Sequence, residues 1–151
     1  MQIDRFSQRL TELFPELARG IARHESNHLS RGDITLPQLW LLERLSRHSP
    51  APMHHLAQFL HISRPATTGL IERLVRQGLV RRSHDTGDRR VVNITITAKG
   101  HQTLARIWSQ KRRAIAAVFG HISAADRAQY LAILQRVVAA LSQTTSRRVS
   151  R

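Results

Sequence analysis

The chain has 151 residues, of which 41% are apolar, so it is long enough to bury a core within one compact domain or subunit. Its 24 Lys and Arg residues outnumber 10 Asp and Glu residues, and the resulting net charge of +14 predicts a polyanionic partner and salt-sensitive binding. The absence of Cys excludes disulfides, thiolate zinc ligands and thiol redox sensing, and the absence of a long apolar run or an apolar signal core predicts a cytoplasmic protein with no membrane partner.

The first predicted element is a helix over residues 5–28, and the segment Ser30–Asp33 that follows prevents it from continuing. Its apolar residues recur at spacings of three and four, as in an amphipathic helix: Phe6, Leu10, Leu13, Leu17 and Ile21. Thr35 and Gln38 then form the pattern of a capping box, with Pro37 in the first turn. This pattern predicts a second helix that ends before His48 and points Leu39, Leu42 and Leu45 inward.

Two further helices are predicted around a sharp turn at His61, where a residue that tolerates left-handed backbone is useful. Leu56, Ala57 and Leu60 form the inner face of the first helix. Ser63 caps the second helix, and Gly78 ends it. Its predicted apolar face consists of Ala66, Leu70, Ile71, Leu74 and Val75.

A hairpin and two closing helices complete the predicted order. Val92, Ile94 and Ile96 alternate with polar residues, which indicates a half-buried strand. Thr97 is the predicted cap of a long helix, and Ser123 begins the last one. Their apolar stripes are Leu104, Ile107, Trp108, Ile115, Val118 and Phe119, then Tyr130, Leu134, Val137, Val138 and Leu141. The predicted fold is therefore mostly α with a small β-hairpin, a winged helix-turn-helix.

Arginine dominates the segment from Arg64 to Arg90, which holds seven arginines and three acids. Arginine suits bidentate contacts with phosphate or guanine, although each single Arg could also be a solvated surface charge. We expect Arg64, Thr67 and Thr68 to face base edges and Arg73 to contact phosphate. Small and hydroxylic residues at the helix start, with Ser63 among them, would let the backbone approach the groove.

The hairpin tip supplies a second set of expected contacts. Arg89 and Arg90 would reach the adjacent minor groove or its phosphates, and Asp85 and Asp88 would hold those arginines through charge-assisted hydrogen bonds. Pro65 is tolerated in the first helical turn, where amides have no intrahelical partner. The full predicted DNA-binding set is Ser63, Arg64, Pro65, Thr67, Thr68, Arg73, Arg82, Asp85, Asp88, Arg89 and Arg90.

Over nearly its full length, this order of elements resembles the MarR family of bacterial transcriptional regulators. The most specific part is the wing pattern Asp-x-x-Asp-x-Arg followed by an alternating strand and Thr-x-x-Gly, which stands here as Asp85, Asp88, Arg90, Thr97 and Gly100. One departure is Gly87, where the family often has Arg. This departure shifts the expected wing contact to the neighbouring arginines or weakens it.

The resemblance implies a homodimer that represses transcription at a palindromic operator, with half-sites about one helical turn apart. Residues 1–30 and 101–145 would form the helical dimerisation region, residues 34–100 the DNA-binding region, and residues 146–151 a basic tail. The family commonly releases DNA when a small effector binds between the dimerisation and DNA-binding regions. By that analogy Trp40 and Trp108 lie near the effector pocket; the plainer alternative is that both are core residues.

Residues 24–28 match the H-E-x-x-H pattern of zinc proteases. A protease also needs a third ligand and a substrate cleft, for which no further domain is evident, and no other catalytic pattern is present. We therefore expect that the protein is not an enzyme and that it binds no cofactor. His24 and His28, with a third ligand such as His101, remain candidates for a zinc-responsive regulator, beside the alternative of exposed or dimer-packed histidines. A non-specific architectural DNA-binding protein is the other alternative, because the net charge alone would support it.

Overall fold

The structure, a computed structural model, describes residues 1–24 and 34–149, with side chains described through residue 143. Its helices are α1 (Ile3–His24), α2 (Leu36–Arg47), α3 (Met53–Leu60), α4 (Arg64–Arg76), α5 (Ala98–Phe119) and α6 (Ala124–Val149). Its strands are β1 (Ala51–Pro52), β2 (Val80–His84) and β3 (Val92–Ile96). This arrangement confirms the predicted fold class. None of the described helices is both long and apolar enough to cross a membrane.

The chain divides into two compact units. We call residues 25–112 the winged-helix unit, and residues 1–24 with 113–151 the helical unit. The boundary falls within α5, so this helix begins in one unit and ends in the other. The sequence predicts the boundary between the DNA-binding region and the dimerisation region near residue 101. The difference arises because Leu104 and Ile107 are buried in the core cluster of the winged-helix unit.

Leucines of α2 occupy the centre of that core. Leu39, Leu42 and Leu45 are buried, as predicted, and they belong to one cluster with residues of α3, α4 and the sheet. The start of α2 is fixed by a hydrogen bond of 2.8 Å from the Thr35 backbone N–H to Gln38 Oε1, which is a bond of the predicted capping box. The core therefore holds α2 as the platform for the helix-turn-helix.

The sheet has three antiparallel strands in the order β1–β3–β2. The sequence did not predict β1, because a two-residue strand is too short to show alternation. Ala51 pairs with Ile94 and Pro52 with Asn93, so Pro52 lies on an edge strand, where a missing N–H is tolerated. On the other side of β3, the β2 register runs from Val80 opposite Ile96 to His84 opposite Val92, which forms the wing.

The helical unit differs from the winged-helix unit in burial. Helix α1 has no buried residue, although its apolar residues repeat along one face. Every described side chain of α6 is exposed. Helix α6 continues to Val149, further than the sequence predicted, whereas α1 ends at His24 and the rest of its predicted span lies outside the described residues.

Candidate nucleic-acid interface

The turn between α3 and α4 is built as the sequence predicted. His61 adopts left-handed backbone (φ 52°, ψ 37°) at the end of α3. Ser63 caps α4, because its Oγ accepts a hydrogen bond of 3.3 Å from the Ala66 N–H. Pro65 lies in the first turn of α4. These residues fix where α4 begins and therefore which of its side chains can leave the core.

Thr67 was predicted to face base edges, and the structure shows that this was wrong. The Thr67 side chain is 0% exposed, and its hydroxyl donates a hydrogen bond of 3.0 Å to the Ser63 carbonyl. Satisfying the hydroxyl within the helix makes Thr67 compatible with the core. It shares the buried face of α4 with Leu70, Ile71 and Leu74, while Ala66, which the sequence placed on that face, is exposed.

The outer face of α4 carries the remaining predicted contacts. Arg64 and Arg73 are exposed, and Thr68 is half-buried with its hydroxyl donating to the Arg64 carbonyl at 3.0 Å. Arg82 on β2 lies 3.9 Å from Glu72 on α4, measured from Nη2 to Oε1. This ion pair joins the wing to α4, so part of the Arg82 charge is directed at the protein.

The far end of α4 terminates as predicted at Gly78, which has a positive φ of 72°. The Gly78 N–H donates to the Val75 carbonyl and the Leu79 N–H to the Leu74 carbonyl, both at 2.9 Å. This pair of bonds is a Schellman motif, which a glycine favours because it has no Cβ.

Asp85 organises the tip of the wing. Its Oδ1 accepts hydrogen bonds from the backbone N–H groups of Gly87 at 2.9 Å and Asp88 at 3.2 Å, and its Oδ2 accepts one from Asn93 Nδ2 at 3.0 Å. The Gly87 and Asp88 amides, followed by the Asn93 amide, hold the pKa of Asp85 below its ordinary value. The prediction that Asp85 holds an arginine was wrong, because its acceptor positions serve the turn instead.

Asp88 does hold an arginine. Its Oδ1 accepts from the Arg90 backbone N–H at 3.0 Å and from Arg90 Nε at 3.2 Å, and 93% of the Arg90 side chain stays exposed. His84 Nδ1 donates to the Arg89 carbonyl at 2.8 Å, a contact that the sequence analysis missed. The wing therefore presents two exposed arginines on a tip with fixed backbone.

One hydroxyl connects the end of α4 to the start of α5. Thr97 Oγ1 donates to the carbonyls of Gly78 at 2.7 Å and Leu79 at 3.1 Å, and it accepts from the Gly100 N–H at 3.0 Å. A Cβ on Gly100 would overlap the Leu79 carbonyl oxygen and lie 2.6 Å from Ile96 Cγ1. The Thr-x-x-Gly pattern thus has a steric and hydrogen-bonding cause.

The remaining candidates are the two tryptophans and the histidines considered as zinc ligands. Trp40 is 47% and Trp108 39% exposed, so neither is a core residue. His28 lies outside the described residues. Within residues 1–24 and 34–149, no group of three or more His, Cys, Asp or Glu side chains is placed to hold a metal ion.

The capped α4, the turn that precedes it and the three-stranded sheet define a winged helix-turn-helix protein. The sequence profile of the MarR family matches residues 34–92. The chain is 30% identical over 103 residues to the homoprotocatechuate degradative operon repressor of Escherichia coli, covering 68% of this chain and 70% of that protein. The chain therefore belongs to the MarR family.

Two further similarities define the extent of this relationship. The HTH-type transcriptional regulator YfiV of Bacillus subtilis is 34% identical over 85 residues, which is 49% of this chain and 53% of YfiV. The chain thus spans about half the length of that relative. The crystal structure of YusO from Bacillus subtilis matches with a TM-score of 0.76 at 20% identity, covering 93% of this chain and 99% of YusO, which shows a common fold.

Proposed function

We propose that this protein is a transcriptional regulator that binds a specific DNA sequence, acts as a homodimer on a palindromic operator, and represses transcription until a small effector releases it. The observation that carries the proposal is the placement of exposed arginines on α4 and on the wing of one unit. A capped helix with a small-residue start suits the major groove, and an arginine-tipped hairpin suits the adjacent minor groove or its phosphates.

Burial on α4 refines which side chains would contact bases. With Thr67 in the core, the exposed start of α4 presents Arg64 and Ala66, followed by Thr68 one turn after Arg64. Arginine can donate two hydrogen bonds to guanine, and a threonine methyl can contact the thymine methyl. Arg73 lies further along α4, where a phosphate contact would position the protein without discriminating between sequences.

The homodimer is supported by the helical unit. The exposed apolar side chains of α1 and α6 include Phe6, Leu10, Leu13, Phe14, Leu131, Leu134, Val137, Val138 and Leu141. An apolar cavity of about 480 Å³ lies between α1, α5 and α6, with Phe14 and Leu134 among its lining residues. Apolar surface of this extent marks an interface in a protein that is otherwise highly charged, and a second copy would supply the complementary apolar face. Sedimentation equilibrium should therefore give twice the chain mass, and a monomer at micromolar concentration would contradict the dimer.

The effector response is supported by family membership and can be tested with the two tryptophans. Because both Trp40 and Trp108 are partly exposed, their fluorescence should report a ligand that binds beside them. Aromatic acids are the first compounds to test, with Trp40→Phe and Trp108→Phe to assign the signal. Displacement of DNA without a fluorescence change would place the effector site elsewhere.

Fluorescence anisotropy at several salt concentrations tests DNA recognition. Duplexes from the region upstream of the gene are compared with scrambled duplexes of equal composition. Specific binding should exceed binding to the scramble by at least about a thousandfold at fixed salt. Equal binding to both, weakening together as salt rises, would instead support the architectural alternative that the charge of +14 favours.

A further inference from the structure

Glu72 is the one acid on α4, whose other charged side chains are arginines. It follows Thr68 by four residues and Arg64 by eight, so successive helical turns place the three on one side of α4. Glu72 does not belong to the buried face of the helix, and 52% of its side chain is exposed. Attraction to DNA alone would disfavour an acid on this side, because a carboxylate repels phosphate. A role for Glu72 therefore requires a contact other than one with the DNA backbone.

Arg82 approaches Glu72 from the sheet. It lies opposite Ile94 in the register of β2 and β3, and residues directly opposite each other project from the same face of a sheet. Ile94 is fully buried, so Arg82 leaves β2 on the core-facing side of the sheet. Arg82 Nη2 lies 3.9 Å from Glu72 Oε1, and the carboxylate has a second oxygen, Oε2, for a further contact. Because an exposed ion pair contributes little to stability, the main consequence of this pair is to restrict where the Glu72 side chain points.

We propose that Glu72 is a specificity-determining residue that accepts a hydrogen bond from the N4 amino group of a cytosine in the major groove, and that Arg82 is a positioning residue that holds the carboxylate in place. The proposal rests on sequence-specific DNA binding by the winged-helix unit, but not on the dimer or an effector. The amino group is the hydrogen-bond donor that cytosine presents in the major groove, and a carboxylate can only accept. A recognition helix can contact bases over two turns, which is the distance from Arg64 to Glu72.

The test selects bound sequences from a pool of DNA duplexes of randomised sequence, with the unmodified protein and with two variants of Glu72. The unmodified protein should select cytosine at one position of each half-site. Glu72→Gln should select adenine there, because a glutamine amide can form two hydrogen bonds with adenine, and Glu72→Ala should select no base. In anisotropy on the selected duplex, replacing that cytosine should weaken binding of the unmodified protein by about fivefold or more and leave binding of Glu72→Ala nearly unchanged.

Variants of Arg82 test the positioning role. Arg82→Gln should lose part of the same discrimination for cytosine, while the slope of log K against log salt stays unchanged, because Arg82 acts through Glu72 and not on phosphate. Arg82→Lys should restore the discrimination, since an ammonium group can also pair with the carboxylate. A slope lower by about one unit in Arg82→Gln would show instead that Arg82 contacts phosphate directly, and would overturn its positioning role.

The matched control is Glu12→Gln, because Glu12 is an acid of similar exposure, 49%, that pairs with Arg9 on α1. This variant should keep the preference for cytosine. The proposal is overturned if Glu72→Gln selects the same bases as the unmodified protein, or if it binds all duplexes more tightly with no change of preference, as a merely phosphate-repelling charge would.

Two further outcomes separate folding and the proposed function from this result. If Glu72→Ala does not melt cooperatively, the change from cytosine to adenine in Glu72→Gln, which keeps the shape of the side chain, decides alone. An unmodified protein that selects no sequence from the pool would contradict sequence-specific recognition itself, and with it the role of Glu72. Selection of a sequence that is the same with and without the Glu72 carboxylate would contradict only the role of Glu72.

Discussion

Asn93 on β3 donates a hydrogen bond of 3.0 Å to Asp85, the residue that begins the loop at the tip of the wing. The same carboxylate accepts from the Gly87 and Asp88 amides, so one side chain ties the loop to the strand across it. Asp85 therefore orders the loop that carries Arg89 and Arg90, although its side chain forms no hydrogen bond to either arginine.

Replacing this carboxylate should loosen the wing. In Asp85→Ala the two loop amides and the Asn93 amide lose their acceptor, so we expect trypsin to cut after Arg89 and Arg90 faster than in the unmodified protein. Mass spectrometry of the early fragments measures the rate. Asp85→Asn keeps one acceptor oxygen, so its rate of cleavage by trypsin should lie between those of Asp85→Ala and the unmodified protein. Equal cleavage rates in all three would show that Asp85 does not order the tip.

The order of the wing should also depend on pH. The pKa of Asp85 is lower in the folded wing than in an unfolded chain, so ionised Asp85 stabilises the wing at neutral pH. This contribution is lost as the pH falls through the folded value. The Gly87 amide resonance should therefore titrate with a midpoint below the ordinary value of 3.8, measured by ¹H–¹⁵N spectroscopy. The titration should be absent in Asp85→Asn, and a midpoint at or above the ordinary value would contradict the assignment.

The two adjacent threonines of α4 should separate stability from recognition. Thr67→Ser removes a fully buried methyl and should lower the free energy of unfolding by about 0.5–1.5 kcal/mol, as other single-methyl deletions do, without changing base preference. Thr68→Ser should leave stability nearly unchanged and relax discrimination at one operator position. Thermal melts and anisotropy on single-base operator variants measure both. A change of base preference in Thr67→Ser would mean that the buried face of α4 also affects recognition.

Gly100 should not tolerate a side chain. Gly100→Ala places a methyl against the Leu79 carbonyl and the Ile96 side chain, so the free energy of unfolding should fall by about 1–3 kcal/mol. Gly69→Ala is the control, because nothing lies within 4 Å of the added Cβ and alanine favours a helix interior by about 0.5–1 kcal/mol. Denaturant unfolding distinguishes the two, and equal stability of both variants would refute the close packing at Gly100.

Arg64 and Arg90 should contribute to DNA binding in different ways. Arg64→Ala should cost about 1–3 kcal/mol on the operator and relax preference at one base pair. Arg90→Ala should weaken binding to all duplexes and lower the salt slope by about one unit. Arg9→Ala, a charge removed from α1 in the helical unit, controls for net charge. Identical behaviour of the Arg64 and Arg90 variants on specific and random DNA would refute these roles.

Local signals allowed much of the fold to be predicted from the sequence. The helix α4 begins and ends at the predicted residues because Ser63 can cap its first turn and Gly78 can adopt positive φ. Strand β3 was predicted because Ile94 and Ile96 alternate with polar residues. Each of these signals depends on a few consecutive residues, whose chemistry determines their conformation.

Features that depend on distant contacts were not predictable in this way. The sequence pattern put Ala66 on the buried face in place of Thr67, because both positions fit a helical spacing and the pattern does not show that the Thr67 hydroxyl is satisfied by its own helix. The Asp85 carboxylate can pair with an arginine or accept hydrogen bonds from the amides of its own loop. The hydrogen bond from Asn93, eight residues further along the chain, favours the second arrangement. Thr97 likewise binds carbonyls at the end of α4 that only the folded chain brings near it.

The separation of buried from exposed positions on α4 has an evolutionary consequence. Residues 67, 70, 71 and 74 are buried and hold the helix on its scaffold, while positions 64, 66 and 68, which we propose to face the bases, form no part of that buried set. If the protein reads its operator as proposed, substitutions at these three positions would redirect it to a new operator without requiring compensating changes in the core. A lineage that duplicated this gene would then diverge in target sequence while the fold stayed constant, and a library randomised at the same three positions would give a route to regulators for chosen promoters.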